Sequence, residues 1–218
     1  MEKIISLDVM MDAVEEAFKI YEKKNFQMPD RMHVDREEGT ILYMPCFTDN
    51  VSGTKIVSTF PENIKSGIAS IQGTMILNNS KTGEPLAMMD GAALTAYRTG
   101  AVGVRHTTRV DCESVGLIGT GVQGFYQLLY ACAARPIKRI SIYDLSKERV
   151  NAFSERLREK LQDIEINAVD SAEELVRKSE IIITATPAQS PVLPDDKELL
   201  KGKHVIAIGS YKLEMRDS

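Results

Sequence analysis

The spacing of apolar residues changes along the chain, and each pattern predicts a different kind of structure. From about Asp8 to Lys24, apolar side chains recur every three or four residues, which predicts one amphipathic helix. From about Met28 to Met89 the pattern becomes short runs rich in Val, Ile, Thr and Tyr, separated by turn-forming residues. The runs predict a set of strands over about 30–35, 40–46, 54–60, 68–78 and 85–89.

The remaining sequence predicts a helix and then alternating strands and helices. Asp90 is suited to cap a helix over about 91–105, in which Gly100 and Gly103 suggest close packing against a neighbour. After Arg109 the pattern indicates βαβ units and a parallel sheet. Its strands are predicted over about 115–118, 139–143, 164–168, 181–185 and 204–208, and its helices over about 122–134, 146–161, 171–178 and 195–200. We therefore predict an α/β protein, with a mixed α+β domain over 1–109 and a doubly wound, Rossmann-type domain over 110–218.

Composition and charge narrow the classes of function. The 218 residues are 43% hydrophobic and 27% charged, which is typical of a globular protein, and the net charge of −4 argues against a nucleic-acid partner. The stretch from Ser114 to Ala134 has no charge and is long enough for a bilayer, but its glycines favour a buried strand, a turn and a helix. We expect no membrane partner. The N-terminal residues lack the apolar region of a signal peptide, so we expect a cytoplasmic location.

Cysteine and histidine patterns do not indicate a metal site. The cysteines at 46, 112 and 132 are widely spaced and form no CxxC pair, which predicts reduced thiols rather than disulfides or a zinc site. The histidines at 33, 106 and 204 are isolated from one another along the chain. We therefore predict no metal cofactor.

A glycine-rich turn is the motif that carries chemistry. Gly119, Gly121 and Gly124 form GxGxxG between an apolar strand and a helix. The first glycine permits a tight turn, the second lets the backbone approach a pyrophosphate, and the third allows close packing of helix on strand. The helix N-terminus then offers N–H groups to phosphates. The predicted nucleotide loop consists of Gly119, Thr120, Gly121, Val122, Gln123 and Gly124. A purely structural turn is the alternative.

Two further segments extend this prediction. Asp144 follows the next strand, 20 residues after Gly124, where an acid binds the ribose hydroxyls. Its charge would repel a 2′-phosphate, so we predict NAD(H) over NADP(H), although Lys147 and Arg149 could weaken the preference. Thr184, Ala185 and Thr186 follow the fourth strand and are expected to border the ribose and nicotinamide. A simple strand-terminating loop is the alternative for them.

Several short segments carry a resemblance to a known family. They are Met28-Pro-Asp-Arg31, Tyr43-Met-Pro45, Gly53-Thr-Lys55, Pro61-Glu-Asn63, Thr82-Gly-Glu-Pro85, Leu94-Thr-Ala-Tyr-Arg-Thr-Gly-Ala101 and Ile118-Gly-Thr-Gly-Val-Gln123. In this order they resemble the ornithine cyclodeaminase/μ-crystallin family, which also contains alanine dehydrogenases and ketimine reductases. The resemblance implies a substrate-binding and dimerisation domain joined to a Rossmann domain, a homodimer, and a site in the cleft between the domains.

The resemblance also implies the substrate-binding residues. Arg31, Lys55 and Arg98 match the cations that hold the substrate carboxylate in the family. Arginine suits this role because its guanidinium binds a carboxylate in two-point geometry. Lys55 is also the predicted catalytic residue, as a proton carrier. The alternative is three unrelated cations on a solvated surface.

Departures from the family pattern limit the predicted reaction. Leu42 stands where cyclodeaminase members have an acid, and Ser210 or Tyr211 stands where they have an aspartate. We therefore expect an NAD(H)-dependent oxidoreductase acting at the Cα of a small α-amino or α-imino acid. The alternatives are ornithine cyclodeaminase and a non-catalytic protein that binds a nucleotide and a small carboxylate. The resemblance also implies roughly a hundred further residues that complete the nucleotide domain, and this sequence predicts five strands where a full doubly wound sheet has about six, so we expect a C-terminally shortened member.

Overall fold

The computed structural model describes residues 5–105 and 109–208. The chain folds into two compact units, Met1–Thr95 and Ala96–Ser218. Their boundary falls within the helix predicted over 91–105, whereas the sequence pattern places it after that helix, because a pattern of apolar residues assigns a helix as a whole. The predicted boundary between 109 and 110 stays a prediction. His106, Ser210 and Tyr211, which entered the sequence argument, lie outside the described residues.

The first unit contains one helix and an antiparallel sheet. The Ser6 hydroxyl accepts a hydrogen bond from the Val9 N–H and so caps the helix. The helix and the strands are α1 (Leu7–Glu22), β1 (Met32–Asp35), β2 (Thr40–Phe47), β3 (Val51–Thr59), β4 (Ile71–Asn79) and β5 (Pro85–Asp90). The strands pair in chain order, each antiparallel to the next. All of them agree with the predicted strands to within a few residues.

A short 3-10 helix, Pro61–Ser66, lies between β3 and β4 and was missed by the sequence analysis. It ends at Gly67, whose φ of 70° is in the left-handed region that glycine adopts without strain. An element of this length spans too few residues to show an apolar period, so the spacing of apolar residues could not predict it.

Helix α2 (Gly91–Arg105) follows β5 directly. The Asp90 carboxylate accepts hydrogen bonds from the N–H groups of Ala92 and Ala93, which confirms the predicted N-cap. A Cβ on Gly73 of β4 would lie 3.2 Å from the carbonyl carbon of Gly91. The first turn of α2 therefore lies directly against the backbone of β4.

The second unit is a doubly wound parallel sheet, as predicted. Its elements are β6 (Ser114–Ile118), α3 (Val122–Ala134), β7 (Arg139–Tyr143), α4 (Lys147–Arg158), β8 (Glu165–Ala168), α5 (Ala172–Lys178), β9 (Ile181–Thr184), α6 (Lys197–Leu200) and β10 (His204–Ala207). The strand order is β10-β9-β6-β7-β8, and every pair is parallel. The order reverses between β6 and β9, and ligands of such sheets bind at the carboxyl ends of the strands at this switch point.

The charge-free stretch from Ser114 to Ala134 is a strand, a glycine turn and a helix, which confirms the sequence interpretation. Within residues 5–105 and 109–208, no helix is both long and apolar enough to cross a membrane. A Cβ on Gly100 of α2 would lie 2.4 Å from the ring of Tyr130 of α3, which confirms the close packing expected at that glycine.

Candidate functional site

The glycine-rich turn stands at the carboxyl end of β6, beside the switch point. Gly119 has a φ of 99°, in the left-handed region, and a Cβ there would lie 2.6 Å from the carbonyl oxygen of Ala185. The turn therefore packs against the loop that follows β9. A Cβ on Gly124 would lie 2.5 Å from the carbonyl oxygen of Gly119. The fold thus brings the predicted nucleotide loop and the segment from Thr184 to Thr186 together, and the absence of side chains permits both approaches.

The start of α3 offers an accessible phosphate-binding position. A Cβ on Gly121 would meet no atom within 4 Å. Gly121 is the N-cap residue, and no side chain caps the helix. The first N–H groups of an uncapped helix need an acceptor from elsewhere, and they attract anions. Val122, the first residue of the helix, is exposed. The middle glycine therefore leaves the space that a pyrophosphate needs.

Two buried polar atoms near this turn have no hydrogen-bond partner in the part of the chain that the structure describes. They are the side-chain oxygen Oε1 of Gln123 and the hydroxyl Oγ1 of Thr184. An unsatisfied buried polar atom costs about 1–3 kcal/mol, so a ligand that hydrogen-bonds to it gains affinity. Together with the space at Gly121, these atoms fit a dinucleotide bound along the carboxyl ends of β6 and β9.

Asp144 stands at the carboxyl end of β7 and is held by the glycine-rich turn. Its Oδ2 accepts hydrogen bonds from the N–H of Thr120 at 2.9 Å and from the Thr120 hydroxyl at 2.7 Å. Its Oδ1 accepts one hydrogen bond, from the N–H of Ser146 at 3.2 Å. A guanidinium nitrogen of Arg149 lies 3.4 Å from Oδ2. The fold thus places the predicted ribose-binding acid beside the predicted nucleotide loop.

The environment of Asp144 keeps its carboxylate ionised. Burial by itself raises the pKa of Asp144, but the hydrogen bonds from Thr120 and Ser146, with the charge of Arg149, outweigh burial and lower the pKa below the ordinary value. The Asp144 side chain is 9% exposed, whereas that of Arg149 is 62% exposed. Oδ2 is surrounded by donors, so Oδ1 is the oxygen with capacity for a further hydroxyl donor.

Lys55 lies in the middle strand of the first sheet, in a row of residues that crosses the sheet. Met44 of β2 lies directly opposite Lys55, and so does Met75 of β4, which in turn pairs with Met89 of β5. Directly opposite residues in a sheet share a face. Arg31 is one residue before β1, and extending the β1–β2 register by one residue places it opposite Met44. Arg31 and Lys55 are therefore on the same face, two strands or about 10 Å apart at the backbone.

The Lys55 ammonium is bound to Thr95 of α2, one turn after the start of the helix. Its Nζ donates a hydrogen bond to the Thr95 hydroxyl oxygen at 2.5 Å. The Thr95 hydroxyl donates to the carbonyl oxygen of Gly91, also at 2.5 Å. Lys55 is half-buried, whereas Arg31 is exposed. The predicted catalytic lysine is therefore attached to the helix that follows the sheet.

Arg98, the third predicted substrate-binding cation, is exposed on α2 and belongs to the second unit. Its convergence with Arg31 and Lys55 stays a prediction. Met44, Met75 and Thr95 were not predicted as neighbours of Lys55. The period-two alternation of β3 shows which residues of that strand lie on the same face as Lys55. The partners of Lys55 on other strands depend on register, and Thr95 is 40 residues away along the chain.

Comparisons with known proteins identify the family. The model of the ornithine cyclodeaminase/mu-crystallin family matches residues 1–217. An alanine dehydrogenase of Archaeoglobus fulgidus is 32% identical over 212 residues, which are 96% of this chain and 64% of that protein. The structure of Thermococcus litoralis Δ1-pyrroline-2-carboxylate reductase with NADH and L-proline is 37% identical, with a TM-score of 0.89, over 99% of this chain and 68% of that one.

An archaeal alanine dehydrogenase dimer with bound NAD is 32% identical, with a TM-score of 0.84, over 94% of this chain and 63% of that one. The chain thus spans less than two thirds of the length of both alanine dehydrogenases. Because the family model matches nearly every residue, the protein belongs to the ornithine cyclodeaminase/mu-crystallin family.

Proposed function

We propose that the protein is an NAD(H)-dependent oxidoreductase that moves hydride between the nicotinamide and the Cα of a small α-amino or α-imino acid. The observation that carries the proposal is the glycine-rich turn joined to Asp144 at the carboxyl ends of β6 and β7. It occurs in a chain that aligns over 99% of its length with a reductase solved with NADH and L-proline.

In this proposal the second unit binds the nucleotide. The N–H groups at the start of α3 bind the pyrophosphate in the space beside Gly121, and Asp144 Oδ1 accepts a hydrogen bond from a ribose hydroxyl. Thr184, Ala185 and Thr186 border the nicotinamide end. The cofactor supplies the hydride chemistry, while the protein supplies orientation and charge. The charge of Asp144 disfavours the 2′-phosphate of NADP(H), and Arg149 reduces this preference because it partly offsets that charge.

The first unit, with Arg98 of α2, binds the substrate in this proposal. Arg31, Lys55 and Arg98 hold the carboxylate, and Lys55 exchanges a proton with the amino or imino group. Met44 and Met75 flank Lys55, and Leu42 lies on the same face by register. None of these three side chains carries a carboxylate that could receive a distal ammonium, which favours an alanine-like or cyclic imino acid over ornithine.

We further propose that the protein forms a homodimer through its first unit. In the described residues of the first unit, no strand contains a fully buried residue. Large apolar side chains such as Met32 and Met88 are exposed on this sheet, and a second copy would remove them from water. One relative was solved as a dimer. Sedimentation should give twice the monomer mass, and a monomer at all protein concentrations would contradict the proposed homodimer.

We also propose that the protein is located in the cytoplasm.

Nucleotide titration tests the cofactor assignment. Binding of NADH and NADPH is followed by fluorescence for the wild type, Asp144→Ala and the control Asp111→Ala, which removes an exposed acid before β6, at the opposite edge of the sheet. We expect tighter binding of NADH than of NADPH. Asp144→Ala should weaken NADH binding about tenfold, since a hydrogen bond to a charged group contributes about 1.5–3 kcal/mol. The control should bind like the wild type.

Turnover then distinguishes the candidate reactions. Formation or loss of reduced nicotinamide is measured with L-alanine, with L-proline, with the imino acid that corresponds to proline, and with the keto acid that corresponds to alanine in the presence of ammonia, which its reductive amination consumes. Saturable NADH binding without turnover of any of them would favour the non-catalytic binding protein. Proline and ammonia formed from L-ornithine without net NADH would establish the cyclodeaminase. No binding of either nucleotide would overturn the proposed function.

A further inference from the structure

A two-step hydrogen-bond chain connects Lys55 to the backbone of α2. The Lys55 ammonium donates to the Thr95 hydroxyl, and that hydroxyl donates to the carbonyl oxygen of Gly91. A hydroxyl has one hydrogen to donate, and Gly91 receives it. The lone pairs of the Thr95 hydroxyl oxygen therefore face the Lys55 ammonium. The bond to Gly91 thus gives the hydroxyl a defined direction as an acceptor for the ammonium.

Two glycines set the distance between α2 and the sheet, across which these two hydrogen bonds form. Gly73 of β4 pairs with Val57, which is two residues from Lys55 and on the same face. A Cβ on Gly91 would lie 2.9 Å from the carbonyl carbon of Gly73. The first turn of α2 can approach the sheet this closely only because neither residue has a side chain. Thr95, one turn further along α2, is thereby brought within reach of the Lys55 side chain.

We propose that Thr95 is a positioning residue that holds the Lys55 ammonium in place for its exchange of a proton with the substrate. The inference rests on the proposed role of Lys55. A lysine side chain has four rotatable bonds and loses much of its rotamer freedom when it is fixed. Thr95 fixes the ammonium before the substrate arrives, so less ordering remains for the reacting complex. Thr95 acts through Lys55 and contacts neither the substrate nor the cofactor.

The stability of the helix does not explain this threonine. Threonine is a poorer helix former than alanine, and a hydroxyl that bonds to the carbonyl four residues earlier slightly destabilises a helix. A structural role in α2 alone would therefore be met at least as well by alanine. The exchange of the hydroxyl for a methyl group separates the two explanations, because it preserves shape and removes the acceptor.

The test compares three substitutions in the full chain. Thr95→Val removes the hydroxyl, Thr95→Ser keeps it, and the control Thr54→Val changes a half-buried threonine of β3 whose side chain is on the opposite face. The kcat and KM values are measured with NAD and either L-alanine or L-proline, and NADH affinity by fluorescence. We expect Thr95→Val to lower kcat about tenfold or more with little change in NADH affinity. Thr95→Ser and the control should stay within about twofold of the wild type.

Lysine NMR gives a readout that does not require turnover. In protein that contains ¹³C- and ¹⁵N-labelled lysine, the signal of the Lys55 Cε–Nζ group is assigned by its loss in Lys55→Ala. We expect this signal to shift in Thr95→Val and to keep its wild-type position in Thr95→Ser. An unchanged signal in Thr95→Val, or an equal change in both variants, would overturn the inference. If Thr95→Val does not fold, Thr95→Ala replaces it, since alanine favours the helix.

Variants of Lys55 and Thr95 together distinguish failure of the proposed function from failure of the inference. Wild-type turnover in Lys55→Ala would remove the proposed role of Lys55 and the role of Thr95 with it. An inactive Lys55→Ala beside a Thr95→Val variant with wild-type kcat would overturn only the inference about Thr95.

Discussion

The two sheets have the same number of strands but are buried to very different extents. In the second unit, every residue of β6 and β9 is buried. In the first unit, the described strands contain no fully buried residue, and the buried hydrophobic side chains of its described part are Met10 and Met11. A parallel sheet is covered by its crossover helices, whereas an antiparallel meander needs no crossovers and can leave a face uncovered.

This difference in burial accompanies a difference in the proposed roles of the two units, which are nucleotide binding and substrate binding. The second unit has its own core, which holds the glycine-rich turn and Asp144 in place without help from another molecule. The first unit carries Arg31 and Lys55 on a sheet with exposed large apolar side chains, which contact with further protein surface would bury. We therefore expect nucleotide binding to depend on the second unit alone and substrate turnover to depend on both.

The largest effect should come from Lys55→Ala. We expect kcat/KM with L-alanine or L-proline to fall about 10²- to 10⁴-fold, the range for loss of a general acid or base. NADH affinity, measured by fluorescence, should not change, because the nucleotide residues are in the other unit. Lys65→Ala, at an exposed lysine of the 3-10 helix, is the matched control. Equal loss of turnover and NADH affinity would contradict the division of tasks.

Core substitutions should distinguish the two sheets by stability. Leu117→Ala removes a fully buried side chain from β6, and we expect it to lower the free energy of unfolding of the second unit by about 2–5 kcal/mol. Ile56→Ala, at a half-buried position of β3, should cost less in dilute protein because less apolar surface is lost. Urea unfolding followed by circular dichroism measures both. Equal destabilisation would mean that the two sheets are buried to a similar extent in solution.

Arg149→Ala should have a smaller and selective effect. The exposed guanidinium of Arg149 is the cation beside Asp144, and we expect its loss to weaken NADPH binding about threefold, in keeping with the ~0.2–1 kcal/mol of an exposed ion pair. NADH binding should change less. Arg177→Ala removes an exposed arginine at the C-terminal end of α5 and serves as the control. A larger loss of affinity for NADH than for NADPH would show that Arg149 does not favour NADPH.

The smallest effect should be the dependence of stability on pH at Asp144. Its pKa is lowered in the folded protein, so its stabilising contribution is complete above the unfolded-state value of about 3.9 and is lost as pH falls through the lower folded value. The difference in unfolding free energy between the wild type and Asp144→Asn should therefore shrink between neutral pH and about pH 3. Denaturant titrations at both pH values measure it. A difference that stays constant would show that the charge of Asp144 does not stabilise the fold.

Elements with strong local signals agree with the sequence predictions. The helix over 91–105 and the helix over 122–134 have the predicted bounds, because Asp90 and Gly121 mark their starts. The parallel sheet followed from alternating strands and helices. The short 3-10 helix was missed, since it has no period. The grouping of Arg31, Lys55 and Arg98 rested on the family resemblance, and for Arg98 it stays a prediction.

By itself, the sequence determined the features that depend on neighbouring residues: the helices and their caps, the alternation of β3, and the glycine turn followed by an acid. The tertiary structure decided which distant residues meet. Only the register of β2, β3 and β4 places Met44 and Met75 beside Lys55, and only the close approach of Gly73 and Gly91 brings Thr95 to the lysine. Local patterns repeat within a few residues, whereas register and close approach depend on how whole elements pack.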